Sequence, residues 1–187
     1  FVASALRRFS IPATFFIPSG VCDAGENFGK ENLRRNGSFK FMSKQEVSLL
    51  ARDPLFKIGG HTVHHINLGQ QLSSNELEHE IVNDKRELEK ITDRPIKFFA
   101  YPFGSVKDLH VDSIAIIKKT GYKAAFTIVP SFYSFKGDLF RAGRDSLSVE
   151  DPIRLWNAWL HGGYDMISWL KNLSSPFRFA FGILRKC

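Results

Sequence analysis

The sequence is poor in cysteine and lacks any long apolar run, and each absence excludes a class of protein. Cys22 and Cys187 are the two cysteines among 187 residues, and they form no Cys-x-x-Cys motif. A small domain held together by disulfides is therefore not supported. No stretch approaches the roughly 20 apolar residues that span a bilayer, so the sequence predicts no transmembrane segment.

The chain is basic, but its positive charge is spread out. The formal net charge is +7, and the basic residues occur as scattered pairs with no aromatic-interleaved basic motif. Nucleic-acid-binding proteins concentrate such residues on one face, so we expect no nucleic-acid partner. With 43% hydrophobic and 24% charged residues, the composition is that of an ordinary globular protein. The length predicts a single domain over residues 1–187.

Short apolar runs alternate with helical patterns along the chain. The predicted strands cover residues 12–18, 56–60, 96–102 and 122–129, and the predicted helices cover residues 1–10, 43–51, 73–91 and 112–121. Ser43 with Glu46, and Ser73 with Glu76, match capping boxes, in which side chains and backbone bond reciprocally at a helix start. The alternation predicts an α/β fold with a parallel sheet and helices packed outside it.

Segments that can carry chemistry follow three of the predicted strands. "PSG", "GHTVHH" and "YPFG" come directly after the first, second and third strands. In α/β proteins the reactive groups gather at the carboxyl ends of parallel strands. The sequence therefore places a candidate site at that edge of the sheet.

The segment "IGGHTVHHINL", residues 58–68, holds three of the six histidines. If residues 61–66 form a helical turn, His61 and His65 project from one face and can share a metal ion. His64 then points about a quarter-turn away. Two ligands are too few for a structural or catalytic zinc site, so a solvated loop with three unrelated histidines remains an alternative.

Three motifs in order, "IPATFFIPSG", "IGGHTVHHINL" and "FFAYPFG", closely resemble the polysaccharide deacetylase family, also known as carbohydrate esterase family 4 and as the NodB homology domain. The resemblance covers about residues 1–130. It implies a distorted (β/α) barrel whose first strand is missing from this sequence. It also implies the hydrolytic removal of acetyl groups from N-acetylated or O-acetylated sugar polymers, with a divalent metal, zinc first among them, as the cofactor.

The resemblance also assigns roles to individual residues. His61 and His65 become the metal ligands, and Thr62 supports their loop by a hydrogen bond to the second ligand. The backbone N–H of Tyr101 becomes the donor that stabilises the developing oxyanion. The substrate-binding wall of the third motif is Pro102, Phe103 and Gly104. The alternative for this stretch is a plain strand followed by a Pro–Gly turn.

Two parts of the family pattern are absent from the sequence. Nothing matches the first motif, T-F-D-D-G, whose aspartates supply the general base and a third metal ligand, so we expect this chain to be an inactive, truncated fragment. Ala100 stands where many members carry an arginine that orients the base. Arg94, Arg141 and Arg144 are possible substitutes, and the sequence does not choose among them.

The last motif of the family is only partly present. "WLHGG" keeps a leucine–histidine pair, which makes His161 a candidate general acid, but no aspartate follows it. A position on an amphipathic helix is the alternative for His161. For the whole chain, the alternative to an enzyme is a non-catalytic glycan-binding relic of the same fold. A metal-dependent sugar isomerase or hydrolase on a similar barrel is a third possibility, which the ordered motifs disfavour.

Overall fold

Four short strands form one parallel sheet in the structure, a computed structural model that describes residues 2–22, 41–129, 137–145, 147 and 151–163. The strands are β1 (Ala13–Ile17), β2 (Phe56–Gly60), β3 (Phe98–Ala100) and β4 (Ala124–Phe126). They lie side by side in chain order, with Phe15 opposite Ile58 and Phe98 opposite Ala124. This consecutive parallel order confirms the predicted α/β class and is the order of a (β/α) barrel.

The segment after β4 extends the sheet by one parallel bridge. Ala142 pairs with Phe126, its N–H donates to the oxygen of Ala125 at 3.0 Å, and its own oxygen accepts from the N–H of Thr127 at 2.8 Å. The chain thus continues around the sheet in the same direction beyond β4.

Six α-helices are described, and they connect or flank these strands. They are α1 (Val2–Arg8), α2 (Lys44–Arg52), α3 (Ser74–Glu78), α4 (Asp84–Thr92), α5 (Val111–Lys119) and α6 (Ile153–Leu160). Both predicted capping boxes are confirmed, because the side chains of Ser43 and Ser73 accept from the backbone N–H groups of Glu46 and Glu76. Among the described residues, no helix has the length and apolar character needed to cross a membrane.

The helix predicted over residues 73–91 contains a feature that the sequence did not indicate. A single π-helical turn, His79–Asn83, lies between α3 and α4. Such turns insert an extra residue into a helix and are frequent at functional sites. The insertion changes the direction in which the side chains before and after it project.

The core lies between the sheet and the helices. The long helix presents a buried stripe of Leu77, Ile81 and Leu88, each at most 2% exposed. Ile91 packs at the margin of the core, and Phe99 of β3 is fully buried. Burying a side chain of this size contributes about 1.5–3 kcal/mol, so this layer fixes α4 against the sheet edge that carries the site.

Candidate functional site

The carboxylate of Asp84 ties together the ends of two strands. Asp84 is the first residue of α4 and is fully buried. Its Oδ1 accepts from the backbone N–H of Ser19, just after β1, and its Oδ2 accepts from the backbone N–H of His61, just after β2, each at 2.9 Å. A Cβ at Gly60 would lie 2.8 Å from the same Oδ2, so glycine is required there. Burial raises the pKa of Asp84 to about 7, while the two backbone hydrogen bonds lower it.

The imidazole of His61 is oriented by the neighbouring strand. Its Nδ1 lies 2.7 Å from the backbone oxygen of Ala100, the last residue of β3. A carbonyl oxygen only accepts, so Nδ1 carries the proton and donates it. This leaves the lone pair on Nε2, which is the arrangement that metal-binding histidines adopt when a carbonyl fixes their tautomer.

The structure brings His65 next to His61. Their ring centroids are 4.7 Å apart and their planes cross at 71°. The turn that achieves this is not helical, because Thr62 and His65 both have positive φ values, 65° and 57°. The sequence therefore anticipated the pairing of these two imidazoles, but not the backbone conformation that produces it.

Both imidazoles are neutral at neutral pH. Burial lowers the pKa of His61 to about 4, against the opposing effect of its hydrogen bond to Ala100, and burial also lowers the pKa of His65. A neutral imidazole is the form that binds metal, so this pair fits a divalent transition metal by its donor chemistry. In the described residues, no third His, Cys, Asp or Glu side chain completes the group.

Thr62 does not support the loop in the way that the resemblance implied. Its side chain is fully buried, yet its Oγ1 has no hydrogen-bond partner in the described part of the chain. The expected hydrogen bond to His65 is therefore absent, and this expectation is corrected. Thr62 contributes to the loop by packing and by its left-handed backbone.

Tyr101 also departs from the role assigned to it. Its backbone N–H donates to the oxygen of Phe126 at 3.1 Å, and its hydroxyl donates to the oxygen of Phe140 at 2.8 Å. The N–H belongs to the sheet, since parallel strands pair through these groups. It is thus already engaged, and the assignment of Tyr101 as the oxyanion donor is corrected on this ground.

Among the three residues of the predicted substrate wall, only Phe103 faces outward. Pro102 and Gly104 are buried, and a Cβ at Gly104 would lie 3.0 Å from the backbone nitrogen of Ile128. Phe103 is 50% exposed, and its ring centroid is 5.2 Å from that of His65. Because Pro102 and Gly104 are buried, neither is placed to contact a substrate directly.

Of the three arginines that the sequence left open, Arg144 is the one whose charge acts on His61. Arg144 donates from Nε to the oxygen of Thr127 at 3.0 Å, and its guanidinium lies 5.2 Å from the ring centroid of Phe16. Its positive charge also helps to lower the pKa of His61. Neither Arg94 nor Arg141 shows such a contribution to His61 in the described residues.

His161 lies at the end of α6, exposed to solvent. Its Nδ1 is 2.7 Å from the oxygen of Asn157 in the same helix. Its polar contacts in the described residues stay within α6. This agrees with the helix alternative for His161 and gives no support to its role as the general acid.

Comparison with known proteins gives the site its context. A family model described as polysaccharide deacetylase matches residues 2–125. No curated protein matches the chain. The fold resembles that of a Bacillus cereus polysaccharide deacetylase, with 22% identity and a TM-score of 0.61 over 79% of this chain and 41% of the Bacillus chain.

Two further solved structures share the fold. A Streptococcus pyogenes deacetylase in complex with acetate has 20% identity and a TM-score of 0.66, covering 83% of this chain and 62% of that one. A de-N-acetylase of Aggregatibacter actinomycetemcomitans has 17% identity and a TM-score of 0.63, covering 83% and 68%. The chain spans about two fifths of the Bacillus cereus chain that it matches. Because the family model matches well over half of the sequence, the chain belongs to the polysaccharide deacetylase family.

Proposed function

We propose that this chain forms part of a metal-dependent deacetylase that hydrolyses acetyl groups on N-acetylated or O-acetylated sugar polymers. The observation that carries the proposal is the geometry of His61. Its Nδ1 lies 2.7 Å from the backbone oxygen of Ala100, and its ring centroid lies 4.7 Å from that of His65. Two neutral imidazoles at the carboxyl edge of a parallel sheet are a suitable part of a zinc site. That one solved relative is a deacetylase in complex with acetate agrees with this reaction class.

The metal, when bound by His61 and His65, supplies Lewis-acid polarisation of an acetyl carbonyl and activation of water. The residues of this chain position the reactants around it. Asp84 fixes the backbone of His61, and Ala100 fixes its ring. We propose that a third ligand and the general base come from outside the described residues.

Phe103 is the residue that we propose to face the substrate. Its half-exposed ring borders His65, and an aromatic face of this kind can pack against the apolar side of a sugar ring. Its backbone N–H has no hydrogen-bond partner in the part of the chain that is described. That free donor makes Phe103, rather than Tyr101, the better candidate for stabilising the oxyanion.

The test joins metal binding with catalysis. Zinc binding by residues 1–187 is measured by competition with a chromophoric chelator, and acetate release from a chitin oligosaccharide is measured with the intact protein that contains them. We expect His61→Ala and His65→Ala to weaken zinc binding and to abolish acetate release, whereas His110→Ala, a change at an exposed histidine just before α5, leaves both unchanged.

Two results would contradict the proposal. Acetate release that survives the loss of both histidines would exclude them as metal ligands in catalysis. Binding of the oligosaccharide by the intact protein without any acetate release would instead favour a non-catalytic glycan-binding relic.

A further inference from the structure

A second group of metal-ligating side chains lies outside the His61–His65 pair. His64, His79 and Glu80 each offer one ligand atom, and these three atoms lie within 4.8 Å of one another. The Nδ1 of His64 is 2.6 Å from Oε1 of Glu80, and the Nδ1 of His79 is 3.8 Å from the same oxygen. Both imidazoles therefore approach the same carboxylate oxygen, Oε1 of Glu80.

The fold holds the carboxylate of this group in place. Glu80 is 6% exposed, and its Oε2 accepts from the backbone N–H of His64 at 2.9 Å. Its backbone oxygen accepts from the N–H of Val63 at 3.1 Å. Glu80 thus attaches the loop that carries His61 and His65 to the long helix, and its Oε1 is left facing the two imidazoles.

The π-helical turn supplies an independent reason to regard this group as built. The turn begins at His79 and includes Glu80, so the extra residue is inserted where the two helix-borne ligands stand. A π-helical turn replaces ordinary helical hydrogen bonds by less favourable ones, and it is often retained for function. Here His79 and Glu80, which are neighbours in this turn, both contact His64.

The two imidazoles face each other instead of packing into the core. Their planes are parallel to within 2°, with centroids 5.9 Å apart, and their side chains are 49% and 55% exposed. Two nitrogens and one carboxylate oxygen are a ligand set that zinc uses, with water in the fourth position. Tetrahedral bonds of zinc place such donors about 3.3 Å apart. An exposed His79 can make this adjustment by rotating its side chain.

We propose that His64, His79 and Glu80 bind a second divalent transition-metal ion, of the zinc class, at the surface of the protein. This site is separate from the His61–His65 pair, because the ring of His65 faces His61 and Phe103 while the ring of His64 faces His79. The bound ion links the histidine loop to the helix and so limits the movement of His65. The inference does not depend on the proposed deacetylase activity.

His110 and Asp112 provide a control for this group, because they place a histidine beside a carboxylate without a third possible ligand in the described residues. The Nδ1 of His110 lies 3.3 Å from Oδ2 of Asp112, and both side chains are exposed. In the described residues this pair belongs to no group of three possible ligands. If an exposed histidine beside a carboxylate were sufficient, His110 would bind zinc as well as His79 does.

The variant experiment removes the first site before testing the second. In a His61→Ala/His65→Ala background, competition with a chromophoric chelator should detect one bound zinc per chain. Adding His79→Ala should weaken that binding at least about 10-fold, since a ligand is lost, whereas adding His110→Ala should change it less than about twofold. If the background binds no zinc, or if His79→Ala leaves the affinity unchanged, the proposal is wrong.

A second measurement on the unaltered sequence avoids any effect of substitutions on folding. During a zinc titration followed by NMR, the imidazole resonances of His64 and His79 should shift together, with those of His110 unchanged. Shifts confined to His61 and His65 would overturn the second site while leaving the proposed function intact. Shifts at His64 and His79 with none at His61 and His65 would support the second site and contradict the first.

Discussion

Two histidines in this protein make nearly the same hydrogen bond in very different surroundings. His61 and His161 each place Nδ1 at 2.7 Å from a backbone carbonyl oxygen. The partner of His61 is Ala100, 39 residues away on another strand, whereas the partner of His161 is Asn157, one turn back in the same helix. His61 is mostly buried beside a second imidazole, and His161 is exposed at a helix end.

The comparison shows that a hydrogen-bonded imidazole is not by itself a functional one. The bond to Ala100 fixes His61 relative to β3, and Asp84 fixes its backbone relative to α4, so its Nε2 is held at the edge of the sheet. The bond to Asn157 fixes His161 only relative to α6. A metal site needs donors that are held relative to one another, and only His61 meets that condition.

Removing the imidazole of His61 should have the largest effect. We expect His61→Ala to lower the zinc affinity of the first site by more than about 100-fold, since losing a ligand costs more than losing a supporting group, for which 10–100-fold is typical. The measurement is a zinc titration in a His79→Ala background, which removes a ligand of the proposed second site so that the titration reports on the first site. An unchanged affinity would remove the distinction between His61 and His161.

Removing the support beneath His61 should have the next largest effect. Asp84→Ala leaves the N–H groups of Ser19 and His61 without their acceptor, and we expect a loss of about 3 kcal/mol in the free energy of unfolding. Where the chain remains folded, zinc affinity should fall about 10–100-fold.

The matched control for Asp84 is the isosteric Asp84→Asn. It keeps one acceptor oxygen, so urea denaturation should place its stability between those of the parent chain and Asp84→Ala. Equal stability of all three proteins would show that the buried carboxylate does not hold the two strand ends.

The sequence predicted what depends on local interactions. The capping boxes at Ser43 and Ser73 depend on residues within one turn, and the helices and strands follow from local periodicity. The pairing of His61 with His65 followed from their four-residue spacing and from the family resemblance.

The supports of the site could not be predicted in the same way, because they join distant residues. The contacts of His61 with Asp84 and Ala100 span 23 and 39 positions. One signal for Asp84 was present, since it falls on the buried stripe between Ile81 and Leu88, where a carboxylate needs a partner. The π-helical turn left no comparable signal, so the grouping of His64 with His79 and Glu80 had to come from the structure.

The metal-free chain should lose stability in acid, because the buried imidazole of His61 takes up a proton more readily in the unfolded chain. The pKa of His61 is lowered from 6.5 to about 4 by burial, so protonation favours the unfolded chain. The stability due to neutral His61 is complete above about pH 6.5 and is lost as the pH falls toward 4. After allowance for partial exposure, the loss should be about 2 kcal/mol.

The control for this pH dependence is His61→Gln, which cannot titrate. The difference in unfolding free energy between the parent chain and His61→Gln should shrink between pH 6.5 and 4 in urea denaturation. Both proteins contain Asp84, so the contribution of its raised pKa to the pH dependence cancels in this difference. That contribution has the opposite direction, because it is lost as the pH rises toward 7. A pH-independent difference would contradict the burial of His61 as the cause.

The smallest effect should come from His161, the second histidine of the comparison with His61. His161→Ala removes an exposed side chain that contacts only its own helix in the described residues, so we expect a change within about 0.5 kcal/mol in unfolding free energy. Zinc affinity, measured in the same titration as for His61→Ala, should change less than twofold because the imidazole is no part of the donor set. A tenfold loss would place His161 in the metal site and show that hydrogen bonding within a single helix turn is enough to position a ligand. The contrast with His61 would then have to rest on burial alone.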